Sequence, residues 1–189
     1  MLARQQGTAL RNPQTGTALK KLSWPEWVVV TLGGSGLSPV APATVASAVT
    51  CVIFWFASVL LQWPWMLLIV PVLFISVWLS YRAIGAFDIK SDARFKKLRR
   101  PNPKREDPDA VVIDEFVGQW ITLIAVPHTL IGFGAAFFVF RFFDILKPLG
   151  VKSIQDFPGG WGIVLDDVLA GMWGAILLTL IFRIAPHFL

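Results

Sequence analysis

Charge and chemically reactive side chains are scarce in this sequence. Of 189 residues, 15% are charged, one is cysteine, one is tyrosine and two are histidine. Soluble domains average about 25% charged residues, so there is too little polar surface to cover a water-soluble globule. The single Cys51 sits in an apolar run and excludes an internal disulfide or a cysteine metal cluster. No internal repeat is present. Residues 1–22 are polar, lack the apolar stretch of a signal peptide and are expected to form a disordered tail ahead of one domain, 23–189. What is abundant is apolar: 55% of residues are hydrophobic, 13% are aromatic, and the mean hydropathy is +0.63.

The apolar residues fall into runs. Residues 24–32 (WPEWVVVTL) are too short to cross a bilayer and are expected to form an interfacial helix, with Trp24 and Trp27 at the headgroup level. A Gly/Pro-punctuated loop, 33–42, follows. A crossing takes about 20 apolar residues, and five candidates come next at 45–62, 65–81, 111–126, 130–146 and 163–184. Thr44 is the expected N-cap of the first, and Pro127 separates the third from the fourth. The expected fold class is therefore all-α, a polytopic integral membrane helical bundle. It has about five membrane-spanning helices plus the short N-terminal interfacial one.

The net charge of +5 and pI near 9.7 could suggest a nucleic-acid partner. The bases, however, lie between apolar spans, where they set topology or meet anionic headgroups, so no nucleic acid is expected. With the N-terminus inside, sixteen of the 17 Lys/Arg fall on the inner side, nine of them in the basic loop 82–109, and Arg183 alone falls outside. All twelve Asp/Glu fall on the inner side too. Acids contribute little to orientation, so their one-sidedness has another cause.

Five acids gather at helix ends. Asp114 and Glu115 open the third span, Asp166 and Asp167 the fifth, and Asp144 sits near the end of the fourth, with Arg141 and Lys147 three residues to either side. Helix dipoles and local ion pairs explain single acids in such places. Paired acids repel, and each ionised carboxylate within a span costs on the order of 3 kcal/mol. A hard divalent cation such as Mg²⁺ relieves that repulsion and keeps positions for water and phosphate oxygens. Arg141 and Lys147 supply charge suited to gripping phosphate. Gly118 and Gly171, one turn beyond the acidic pairs, would serve close approach of a headgroup or ordinary helix packing. Cys51 lacks an Arg six residues on, and His128 and His187 lie on the outer side, so thiolate and phosphohistidine phosphatase chemistries are excluded. Metal-assisted attack by water remains.

Four segments carry a resemblance: GSGLSPVAPATVAS (34–47), DPDAVVIDEFVG (107–118), FRFFDILKP (140–148) and GGWGIVLDDVLAG (159–171). Together, in this order, they resemble the phosphatidylglycerophosphatase A family. The resemblance implies a Mg²⁺-dependent, multi-pass enzyme of the bacterial inner membrane with its site at the cytoplasmic face. It would hydrolyse phosphatidylglycerophosphate to phosphatidylglycerol and inorganic phosphate in phospholipid biosynthesis. It maps Asp114 and Glu115, Asp166 and Asp167, and the stretch Arg141, Asp144 and Lys147 onto the family's motifs, and Asp107 onto its Asp before Pro. Ala43 and Ala46 depart from the family's usual glycines, and Gly150 from its second proline. The expected metal ligands are Asp114, Glu115, Asp144, Asp166 and Asp167, with Asp114, Glu115 and Asp167 catalytic and Glu115 either a ligand or the base. Arg141, Lys147, Ser38, Thr44, Ser47 and Asp107 are the expected substrate contacts. Two other readings stand beside this one. A CDP-alcohol phosphatidyltransferase would need an Asp-Gly-x-x-Ala-Arg run, which is absent. A cation or proton transporter would place acids near the midplane or on both sides.

Overall fold

A computed structural model describes residues 22–60, 68–83, 110–148 and 160–184. Six α-helices occur among them: α1 (Trp24–Val30), α2 (Pro42–Leu60), α3 (Ile69–Ala83), α4 (Ile113–Leu123), α5 (Leu130–Leu146) and α6 (Gly160–Ile184). No strand occurs among the described residues, so the chain is all-α. The turn at 62–65, the basic loop beyond Ala83, Asp107 and the loop before Gly160 lie outside the described residues, as does the tail up to residue 21.

Helix ends follow local chemistry. Before α1, Glu26 Oε2 accepts hydrogen bonds from the Ser23 backbone N–H (2.8 Å) and hydroxyl (2.7 Å), while its other oxygen pairs with Arg82 of α3 at 3.0 Å. The Ser23 hydrogen bonds, and then Arg82, hold the Glu26 carboxyl below the usual carboxylate range. The helix stops at Val30, short of the expected residue 32, because Leu32, Gly33 and Gly34 all adopt positive φ. α2 starts at Pro42, so Thr44 is not its N-cap. Proline's fixed φ suits a first helical position, and the Thr44 N–H already donates to Ala41 O at 2.9 Å. α5 runs over 130–146 as expected, with Thr129 Oγ1 accepting from Gly132 N at 3.0 Å.

The third expected span differs most. α4 has eleven residues, about 16 Å of helix, roughly half of a 30 Å hydrocarbon core. Nine of the eleven are buried. The chain reaches α4 through Val112, whose N–H donates to Val30 O at 3.0 Å, and the helix gives way to turns ahead of Pro127. α4 is thus the bundle's axis, packed against α2, α3, α5 and α6. Phe54 of α2 packs against Trp120 with ring centroids 4.8 Å apart and planes tilted by 36°, and Leu123, Ala136 and Leu178 join that core. A second cluster, Val30, Leu79, Ala83, Val111 and Ile113, ties α1 and the end of α3 to the start of α4.

The outer faces are apolar. Phe56, Phe74, Trp78, Phe138, Ile145 and Leu180, from α2, α3, α5 and α6, are all more than half exposed. Apolar surface spread so widely is foreign to soluble monomers and marks a membrane-associated protein. Among the described residues, α6 is the one helix long and apolar enough to cross a bilayer, over Gly160–Arg183 with mean hydropathy 1.8. α2 and α3 are shorter apolar helices.

Candidate active site

Asp114 and Glu115 occupy the first turn of α4, where helix N–H groups favour acids. Asp167 comes from α6. That helix begins at Gly160, three residues earlier than expected, so Asp166 and Asp167 lie in its second turn rather than at its opening. Gly160 lets the start of α6 lie close against α3, since a Cβ there would lie 2.1 Å from Val77 O.

Two further glycines bring the acids together. A Cβ on Gly118 would lie 2.5 Å from Asp167 O, and one on Gly171 would lie 2.4 Å from Gly118 O. The backbones of α4 and α6 therefore run in contact, the small-residue packing of helix pairs in membranes. The Thr122 hydroxyl lies 3.2 Å from both Gly118 O and Gly171 O, linking the two helices a turn further on.

The result is a cluster of three buried carboxylates. One oxygen each from Asp114, Glu115 and Asp167 lies within 4.8 Å of the others. Glu115 Oε2 and Asp167 Oδ2 are buried without a hydrogen-bond partner among the described residues. Like charges this close are unfavourable unless a cation or protons intervene. An all-oxygen donor set of this kind fits a hard divalent cation.

Asp144 and Asp166, expected in the same ligand set, lie beside cations. Arg141 Nη1 lies 2.7 Å from Asp144 Oδ2, Lys147 Nζ lies 3.6 Å from Asp144 Oδ1, and Lys147 also pairs closely with Asp166. Asp166 Oδ1 accepts from the Asp167 N–H at 3.1 Å, so the cation-paired acid also braces the cluster. Lys147 caps α5 with φ +45°, an uncommon conformation for a side-chain-bearing residue. Its N–H closes on Phe143 O at 2.8 Å. Arg141 Nε is buried without an acceptor among the described residues, leaving a donor for an anion beside the carboxylates.

Three of the other expected contacts lie at or just before the start of α2. The Ser38 hydroxyl donates to Val40 O at 2.9 Å, and the Ser47 hydroxyl, buried, donates to Ala43 O at 2.9 Å. Thr44 lies in the first turn of α2, and Asp107 is outside the described residues. His128 stacks on Trp55 at 4.3 Å, with Nε2 3.0 Å from Trp55 O. Gln119, fully buried in α4, does not stand out in the sequence. The only signal for it is its spacing, four residues beyond Glu115.

The phosphatidylglycerophosphatase A family description matches residues 28–182. The chain is 37% identical over 167 residues to a Bacteroides thetaiotaomicron protein provisionally named phosphatidylinositol-3-phosphatase, covering 82% of this chain and 94% of that one. It is 31% identical over 175 residues to phosphatidylglycerophosphatase A of Escherichia coli, covering 90% and 91%. A shorter match, 43% over 74 residues, links it to phosphatidylglycerophosphatase A of Haemophilus influenzae, covering 38% and 45%. No solved structure matches it. With the family matched over most of the length and the E. coli relative covered nearly end to end, the chain belongs to the phosphatidylglycerophosphatase A family.

Proposed function

We propose that this protein is a Mg²⁺-dependent lipid phosphatase that converts phosphatidylglycerophosphate to phosphatidylglycerol and inorganic phosphate. The observation that carries the reading is the buried trio Asp114, Glu115 and Asp167 beside the Arg141–Asp144–Lys147 group, inside a bundle with an apolar exterior. In this reading α2, α3, α5 and α6 embed the chain in the inner membrane as a multi-pass bundle around α4. The excess of Lys/Arg on the side of the acids faces the cytoplasm.

Asp114, Glu115 and Asp167 would hold the cation, which when bound polarises the phosphoryl oxygens and lowers the pKa of water. Arg141 turns its buried Nε–H toward the phosphate and Lys147 adds charge, so the phosphomonoester is oriented with its acyl chains left in the lipid. Water attacks phosphorus, the bond from phosphorus to the glycerol oxygen breaks, and the lipid leaves as an alcohol. Glu115, through the carboxylate oxygen not turned to the cation, would accept the proton the water gives up and pass it to the leaving glycerol oxygen, so the step balances with no other donor.

The deciding assay measures phosphate release from phosphatidylglycerophosphate by the purified protein in detergent. Release should require Mg²⁺ and stop with a chelator; release unchanged by the chelator would remove the cation from the reading. The B. thetaiotaomicron relative's name concerns a different phosphomonoester lipid, so phosphatidylinositol 3-phosphate belongs in the same assay. Faster hydrolysis of that lipid would reassign the substrate and keep the chemistry. Arg141→Lys keeps the charge but loses the planar fork, and kcat/KM is expected to fall about tenfold, the equivalent of about 1.4 kcal/mol.

A further inference from the structure

Gln119 is fully buried, 0% exposed, yet neither Oε1 nor Nε2 has a hydrogen-bond partner among the described residues. Three buried hydroxyls in the bundle are differently placed. Thr50 donates to Ala46 O at 2.8 Å, Ser76 to Val72 O at 2.8 Å, and Thr122 lies on the carbonyls of Gly118 and Gly171. Each uses backbone oxygens already at hand. An amide buried without partners weighs against stability, and methionine or leucine would fill the same space without that penalty. The position therefore calls for a ligand.

Its neighbour on the helix supplies the other half. Glu115 precedes Gln119 by four residues, a spacing that sets side chains about 5–6 Å apart at Cβ on one helix face. Glu115 Oε2 is likewise buried and without a partner. A donor, an amide oxygen and a carboxylate oxygen on one face meet the requirement of a buried water for two to four polar partners. We propose that Gln119 is a positioning residue. Through one buried water its amide holds Glu115 Oε2, fixing the carboxylate in the orientation from which it serves hydrolysis. The catalytic half of this rests on the phosphatase reading; the link between the two side chains does not.

The test uses the full chain in detergent as wild type, Gln119→Met, Glu115→Gln and the double variant. In chelator, the shifts in apparent Tm should depart from additivity by about 2 °C or more. With Mg²⁺ and phosphatidylglycerophosphate, Gln119→Met should lose about 10- to 100-fold in kcat, as for residues that orient metal ligands, with KM little changed. Additive Tm shifts, or wild-type kcat in Gln119→Met, would each overturn the proposal. If Gln119→Met does not fold, Gln119→Leu answers the same questions. If the wild type releases no phosphate, the phosphatase reading falls on its own, and the thermal cycle still decides the link.

Discussion

Asp167→Asn should abolish phosphate release, by about 10³-fold or more in kcat, the scale of losing a principal electrostatic contact in an active site. The variant should nonetheless fold. Asparagine keeps the shape of the side chain and leaves the Asp167 backbone N–H free to donate to Asp166 Oδ1. It also removes one negative charge from three buried carboxylates whose ligand oxygens lie within 4.8 Å, so repulsion falls. Activity and metal-free stability should therefore move apart. In chelator the variant's apparent Tm should equal or exceed that of the wild type. Saturating Mg²⁺ should raise the wild-type Tm, because a ligand at about 100 times its Kd stabilises by about 2.7 kcal/mol, and should leave the variant's almost unmoved. A variant that keeps near-normal activity would take Asp167 out of the metal site.

Gly171→Val should act by the opposite route, through packing and with no change of charge. A Cβ at this position would lie 2.4 Å from Gly118 O and 3.1 Å from the Gly118 carbonyl carbon, both backbone atoms with no rotamer to escape into. Overpacking of this kind costs about 3 kcal/mol or more, which for a chain of this size lowers Tm by roughly 6–12 °C. Because Asp114 and Glu115 ride on α4 and Asp167 on α6, separating the helices also opens the cluster, so activity should fall with stability. Gly134→Ala is the control. Nothing lies within 4 Å of its Cβ position on α5, and alanine is the better helix former, so a gain of up to about 1 kcal/mol is expected. Equal losses at both positions would point away from the α4–α6 contact.

How far the site was legible depended on whether its cause was local. α5 could be read at both ends, because Pro127 and a capping threonine act within a few residues of its start and Lys147 ends it. α4 could not be read in length: its apolar run continues to Val126, but the helix ends at Leu123, and its enclosure by four other helices is a tertiary fact. The acids at the helix ends were visible as a group of five. Their division into three with oxygens within 4.8 Å of one another and two beside Lys147 was not, since it depends on where α6 places Asp166 and Asp167 and on the left-handed turn at Lys147. The roles of Gly118 and Gly171, left open between headgroup approach and helix packing, are decided by the contacts of their backbones. Gln119 looked like any polar residue in a helix until its burial was known.

The shortness of α4 also bears on what must be present before the site can exist. Its eleven residues precede α6 in the chain, and the surface that covers much of them belongs to that later helix. Half as long as a crossing, α4 has much of its surface covered only once residues 160–184 pack against it. The final helix is then both the last element synthesised among those described and the one that closes the carboxylate cluster. A chain ending after α5 would carry most of the motif residues yet lack Asp166 and Asp167, so the cluster closes only with the last described helix.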